Sequence, residues 1–313
     1  MAAFKRLLSL CFILFCANAW AQEYGQVRAV FLGDVMLARG VETVIDEQGG
    51  DYTFPFEHIR DTLKGADLAF ANLESIITSN PSGNGWWSWL MCCTFGAQPQ
   101  AAPALAEVGF DVLSVANNHA LDQGRDGLRE GLQLLRDAGV APVGAGENLN
   151  DAREPVFIER NGLTIAVLAY TNRGSWYNDA AWAWRSGVAW LAEENMAEDV
   201  RRAVALADVV VVSMHFGQEY QTRPNDRQRR LAQRAIDEGA RLVVGHHPHV
   251  VQPLEAYGNG YIAYSLGNAV FDQSREATRT GAMLEVVFQG RDIVDIRQRS
   301  LRANDRHQPV PQP

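Results

Sequence analysis

"RLVVGHHPHVVQP" (residues 241–253) sets the apolar run Leu242 to Val244 directly before His246, His247 and His249. A short, continuous apolar run is the pattern of a strand buried on both faces. In open α/β sheets, ligands gather beyond the carboxyl ends of the strands. Nearly half of the chain's 7 histidines standing at one such end therefore points to a site.

The same layout recurs along the chain. "VRAVFLGD" ends on Asp34 and "ADLAFANLE" on Asn72 and Glu74. "DVLSVANNH" leads into Asn117, Asn118, His119 and Asp122, "DVVVVSMHFG" into His215 and Glu219, and "YIAYSLGN" ends on Asn268. Each piece alone has an ordinary reading: a "GD" turn at Asp34, an Asx-turn at "NNH", a hydrogen-bonded core histidine at His215. Core packing does not explain so many strand ends that all supply carboxylate, carboxamide or imidazole groups. Mixed Asp, Glu, Asn and His ligands suit one or two divalent ions, and the imidazoles favour manganese, iron or zinc over magnesium. In "HxH" on a strand the two rings point the same way, so His247 and His249 are expected on one side of a strand end.

Between these runs lie amphipathic helices. In "GRDGLREGLQLLRDAGV", Leu128, Leu132 and Leu135 share one face and Gly139 closes the helix. "NDRQRRLAQRAIDEGA" carries Asn225 as N-cap and Gly239 as stop. Strand and helix alternate, which gives a layered α/β fold. "GAMLEVVFQG" and "IVDIRQRSL" read as a C-terminal hairpin, and residues 301–313 as a polar, Pro-rich tail.

The 313 residues, 47% hydrophobic and 21% charged, allow a large core within a single α/β unit. "MAAFKRLLSLCFILFCANAWAQ" has a basic start, an apolar stretch and small residues at Ala19 and Ala21, the layout of a signal peptide over residues 1–21. The apolar stretch is shorter than the roughly 20 residues of a spanning helix; an uncleaved N-terminal membrane anchor is the alternative. The expected location is periplasmic or extracellular. Cleavage removes Lys5 and Arg6 and no acid, moving the net charge from −9 to −11, and so acidic a protein is a poor nucleic-acid binder. Cys92 and Cys93 are then the remaining pair; adjacent Cα atoms, about 3.8 Å apart, are too close for an ordinary disulfide, and two small thiols fit better than a soft-metal site. Apart from Trp20, the tryptophans fall in "GWWSWL" and "SWYNDAAWAWRSGVAW". These segments fit either an aromatic platform for a polymer or sugar, or two inserts packed on each other.

In their order, "FLGDVML", "NLES", "SVANNHALDQG", "SMHFGQEY", "VVGHHPHVVQPLE" and "YSLGNAVFDQ" resemble the CapA family, associated with capsule and poly-γ-glutamate synthesis and similar to the metallophosphatases, or calcineurin-like phosphoesterases. The resemblance runs from about Arg28 to Gln273. It implies a layered α/β/β/α sandwich of metallophosphoesterase type over residues 26–300. It also implies that Asp34, Glu74 (bridging), Asn118, His215, His247 and His249 hold one or two divalent metal ions, while His119 protonates the leaving group. His246 is then spare, with a structural or supporting role. Arg39, Asn117, Asp122, Glu219 and Asn268 are candidates for holding substrate or supporting the ligands; Glu219 would orient His215 or bind substrate. The first metallophosphatase motif is Asp-x-His, whereas this chain has Asp34-Val35-Met36, so one ligand is missing. The expected activity is metal-dependent hydrolysis in making or processing an anionic cell-envelope polymer such as poly-γ-glutamate. The competing reading is a non-catalytic accessory protein that binds the polymer or a membrane-embedded synthase on the same scaffold. Met36 favours the second and His119 the first. A third, metal-independent polymer binder would tolerate loss of His247 and His249.

Overall fold

The computed structural model describes residues 25–81 and 94–313. The signal-peptide reading of residues 1–21, Cys92 and Cys93, and the first tryptophan segment lie outside the described residues.

Val209 to Val212 show how four consecutive valines make a layered protein. Successive side chains of a strand point to opposite faces. Val209 and Val211 enter a central apolar cluster with Phe31, Phe70, Val167, Val244 and Leu284. Val210 and Val212 enter a different one, with Met196, Val200, Leu231 and Ala235. A six-stranded sheet is thus buried on both faces. In spatial order it comprises Leu254–Tyr257, Gly260–Ala263, Leu242–His246, Val209–His215, Leu163–Thr171 and Val156–Arg160. The strands Leu163–Thr171, Val209–His215, Leu242–His246 and Gly260–Ala263 run parallel.

An eight-stranded sheet packs against it across the central cluster. Its middle strand, Gln26–Val35, lies between Leu68–Leu73 (parallel) and Thr280–Gln289 (antiparallel), with Asn268–Val270 also alongside. Its outer face packs on helices through Leu32, Ala69, Val41, Ile45, Leu105, Leu128, Leu132 and Leu135. Helix, sheet, sheet, helix is the architecture the sequence predicts, and the expected helix Gly124–Asp137 is present. Helix Asp226–Asp237 starts on Asn225, whose side chain accepts from the Gln228 backbone N–H in a capping box. The hairpin is Thr280–Gln289 against Asp292–Ala303.

The C-terminal residues depart from the expected tail. Pro309–Pro311 pairs with Leu301–Ala303 at the sheet edge, where the missing proline N–H groups are tolerated. Gln308 is buried and donates to the Phe54 carbonyl at 2.9 Å. Composition suggested disorder, but a polar edge strand has no alternating apolar pattern to read. The second tryptophan segment folds as a helical turn, Trp176–Asp179, and a short bridge-linked loop. Trp182 contacts Trp176 and Trp184.

One close approach sets the site's entrance strand. A Cβ at Gly33 would lie 1.9 Å from the Gly267 carbonyl oxygen, the same oxygen that accepts from the Asp34 N–H at 2.9 Å. Gly33→Ala is expected to cost about 3 kcal/mol or more, at or above the usual overpacking penalty, and to displace Asp34. The midpoint of denaturant unfolding measures the first effect and metal affinity the second.

Candidate metal centre

Two carboxylates stand at the bottom of the site. Asp34 and Glu74 are both 0% exposed. They come from adjacent parallel strands: Asp34 pairs in register with Asn72 and also with Asn268, and Glu74 follows the second strand. Asn72 Nδ2 donates to Asp34 Oδ1 at 2.8 Å. His249 Nδ1 lies 3.3 Å from Asp34 Oδ2, and His246 Nδ1 3.4 Å from Oδ1. Burial alone would raise the Asp34 pKa, but its contacts with His246 and His249 outweigh burial and hold it well below the ordinary range. Glu74 has no such relief. Burial, and next the Asp34 charge, push its carboxyl well above the ordinary range, and neither of its oxygens has a hydrogen-bond partner.

Around Glu74 Oε1 stand the Nε2 atoms of His119 at 3.8 Å, His249 at 3.8 Å and His215 at 4.0 Å. These separations are too long for hydrogen bonds. They fit groups that share a cation, since ligand bonds of about 2 Å reach a metal from each side. A buried carboxylate without partners and ringed by imidazoles is a site whose donors fit divalent ions.

Three of the rings are oriented from behind, as is usual at metal sites. His249 Nδ1 contacts Asn268 Oδ1 at 2.9 Å, which leaves Nε2 facing Glu74. His119 Nδ1 contacts Asp122 Oδ2 at 2.8 Å, and the ring stacks on Phe95 at 4.0 Å. His215 Nδ1 lies 3.2 Å from Asn72 Nδ2, and its Nε2 lies 2.7 Å from Asn118 Oδ1. Burial, then the nearby His247, lower the His215 pKa well below the ordinary value. His247 offers two buried ring nitrogens with no hydrogen-bond partner; burial, then the Arg173 charge, lower it to about 3, so it is neutral and ready to ligate. For His249 burial acts downward, but the charges of Glu74 and Asp34 outweigh it and raise it to about 9.

Asp34, Glu74 and His215 offer ligand atoms within 4.8 Å of one another, and so do Glu219, His247 and His249. With this geometry in view, comparison with known proteins identifies the lineage. Residues 28–273 match the family described as "Bacterial capsule synthesis protein PGA_cap". The chain belongs to the PGA_cap family. It is 35% identical over 289 residues to a protein named "PGA biosynthesis protein CapA" from Bacillus subtilis, covering 89% of this chain and 74% of that one. Among solved structures it resembles a hypothetical protein from Thermus thermophilus (TM-score 0.55, 19% identity, 87% of this chain and 98% of that one). It also resembles a phosphatase from Mycoplasma pneumoniae (TM-score 0.51, 13% identity, 88% and 94%). The fold is that of the metallophosphoesterases.

In this PGA_cap chain the residues singled out from the sequence converge, with three differences of detail. His247 and His249 do not project from a strand: the strand ends at His246. Both rings are instead presented by a turn with φ of 92° and 56°, because Pro248 cannot continue a sheet ladder. Glu219 lies with His247 and His249, while His215 is held by Asn72 and Asn118 instead. Arg39, a candidate for holding substrate or supporting the ligands, is itself engaged: it pairs with Asp272 and lies over Phe95, 4.7 Å from the ring centroid. His246 is buried beside Asp34 and 6.1 Å from Phe70. Asn117 is a brace, donating to the Leu73 carbonyl at 2.8 Å and accepting from the His119 N–H at 3.0 Å.

Asn72 is a contributor whose role the sequence does not reveal: it joins Asp34, His215 and Asn117. Its position two residues before Glu74 on a buried strand is the signal, since a buried carboxamide must be satisfied. Phe95, Tyr220 and Arg275 complete the rim, with Arg275 4.1 Å from the Tyr220 ring centroid. They come from loops, where no periodicity marks them.

Metal loading must remove the extra proton of His249. Because that ring titrates at about 9 in the metal-free protein, above the ordinary 6.5, ion uptake below about pH 9 should release protons, and affinity should rise with pH until that point. His247, at about 3, contributes no proton near neutrality. Calorimetric titration with Mn2+ in buffers of different ionisation enthalpy counts the protons; a heat independent of buffer would contradict the assignment.

Proposed function

We propose that this chain is an exported, metal-dependent hydrolase that acts on an anionic cell-envelope polymer of the poly-γ-glutamate type during its synthesis or processing. The observation that carries this reading is the His119–Asp122 pair. His119 is backed by that carboxylate at 2.8 Å, and its other nitrogen faces the ligand cluster 3.8 Å from Glu74 at the partly exposed edge of the site, where a leaving group can reach it. Asp122, in contact with Nδ1, orients the ring so that Nε2 faces the cluster, the geometry a general acid requires. Phe95, stacked on the ring and tied by its own N–H to Asp122 Oδ2 at 2.7 Å, fixes the ring's angle.

Asp34, Glu74, Asn118, His215, His247 and His249 would hold one or two divalent ions, with manganese, iron or zinc favoured by the imidazoles. Such ions, when bound, supply Lewis-acid polarisation of substrate and activation of water. The buried ligands keep bulk water from the inner side, and His119 delivers its proton to the departing oxygen or nitrogen from the outer side. Arg39 and Arg275, each lying on an aromatic ring at the rim, supply positive charge for a carboxylate- or phosphate-bearing chain. The signal-peptide layout of residues 1–21 supports action outside the cytoplasm, in reach of a membrane-embedded synthase.

A second reading has its own support. Met36 is 0% exposed and packs in the apolar cluster outside the larger sheet, so the first motif supplies one ligand fewer than its metallophosphatase counterpart. A metal-holding accessory protein that binds polymer without cleaving it would tolerate that loss. The two separate on activity: with phosphodiester and γ-glutamyl oligomer substrates and Mn2+-loaded protein, His119→Ala is expected to lower kcat by about 10²–10⁴-fold with metal content unchanged. Turnover of neither substrate class by loaded wild type would leave the accessory reading.

A further inference from the structure

Met36 supplies no ligand, and a carboxylate stands elsewhere at the site, on the turn that follows His215. We propose that Glu219 is a metal ligand, closing a site with His247 and His249; this rests on the metal-dependent reading above. Three independent observations place Glu219 there. A carboxylate oxygen of Glu219 and one ring nitrogen from each of the two histidines lie within 4.8 Å of one another. Both nitrogens of His247 are buried and without hydrogen-bond partners, so the ring has no structural use for its polar atoms. The third observation is in the backbone.

Among the described residues only six that are not glycine have positive φ, and three of them are Tyr220 (64°), His247 (92°) and His249 (56°). Such conformations are costly and persist where the surrounding structure enforces them, commonly at functional sites. The Tyr220 N–H donates to the Pro248 carbonyl at 2.8 Å. One hydrogen bond thus clamps the residue after Glu219 to the residue between the two histidines. The turn that carries Glu219 and the turn that carries His247 and His249 are a single unit. Met36 cannot do this work: its side chain packs among Val35, Leu37, Ala38 and Val41, and its sulfur accepts from the Ala38 N–H at 3.1 Å.

The placement has a chemical consequence. Glu219 is exposed while Asp34, Glu74 and His215 are buried. The ion held by Glu219, His247 and His249 is therefore the outer one, next to the Arg275–Tyr220 pair and open to substrate. The inner one, on Asp34, Glu74 and His215, is enclosed. A carboxylate in this ligand set also adds a negative charge, which favours harder ions such as manganese at the outer position.

The test is metal content and affinity of the full chain, without a histidine tag, loaded with Mn2+ or Co2+. Wild type, Glu219→Gln, Glu219→Asp and Glu74→Ala are compared after desalting, alongside the visible spectrum of the Co2+ forms. Glu219 is exposed, so its variants are expected to unfold at the wild-type temperature, which a thermal melt verifies. The proposal expects two equivalents in wild type and one tightly held in Glu219→Gln, or a weakening of one ion beyond the roughly 10–100-fold that loss of a merely supporting residue costs. It also expects a changed Co2+ spectrum and partial recovery in Glu219→Asp. Wild-type stoichiometry, affinity and spectrum in Glu219→Gln would overturn the proposal while leaving the metal centre itself intact. A wild type that binds neither ion would overturn the proposal together with the metal-dependent reading; in that case Glu74→Ala would be indistinguishable from wild type.

Discussion

The structure is organised around a carboxylate that the protein does not satisfy. Glu74 is fully buried, both its oxygens lack hydrogen-bond donors, and a second buried carboxylate, Asp34, adds its charge. Removing one such ion from water costs several kcal/mol even after relaxation. A fold that is stable by only about 5–15 kcal/mol in total keeps such a group only where something offsets the cost. Asp34 has its offset in Asn72 and the neighbouring His246 and His249. Glu74 has three imidazole nitrogens at 3.8–4.0 Å and no hydrogen-bond partner, a gap of the size a shared cation fills.

Holding that gap open is the task of the two sheets. Asp34 and Glu74 come from neighbouring strands of the larger sheet; His215 and His246 sit opposite each other in register in the smaller one. Both sets of strand ends meet because the sheets share one apolar layer, with Phe31 and Phe70 from one side and Val167, Val211 and Val244 from the other. A close-packed layer of this kind transmits displacement instead of absorbing it. Gly33, wedged against the Gly267 carbonyl, and Gly245, where a Cβ would meet the Tyr264 carbonyl at 2.0 Å, show how little slack remains beside Asp34 and beside His246. Ligand spacing at the site is thus inherited from β-sheet packing.

That inheritance explains what the sequence reveals and what it hides. Residues delivered by buried strands are legible, since an apolar run ending in Asp34, Glu74, His215 or His246 marks both the element and the end that carries chemistry. The layers are legible for the same reason: alternate valines of 209–212 face different cores. Residues delivered by turns are not. The orientation of His247 and His249 depends on positive φ around Pro248, which no alternation rule gives; a strand was expected and a turn does the work. Glu219 looked like an accessory to His215 because they are neighbours in sequence, but Gly217 and Tyr220 turn the chain so that it meets the histidines of another loop. The C-terminal strand, with Pro309 and Pro311 at a sheet edge, hides for a third reason: edge strands with one half-exposed face need no apolar pattern.

The division between strand-borne and turn-borne residues also divides the chemistry. The inner half of the centre is fixed by main-chain register and sheltered from solvent. The outer half hangs on loops and one helix start, with the His119–Asp122 pair, Arg39 over Phe95 and Arg275 over Tyr220. A ligand change is easier in the second half than in the first. A new residue in a loop needs only a turn to aim it, whereas one at the Met36 position must fit a packed apolar cluster. A carboxylate on the outer loop, as proposed for Glu219, is therefore an addition that costs the fold little. It would leave the buried frame in place while changing the charge at the outer position.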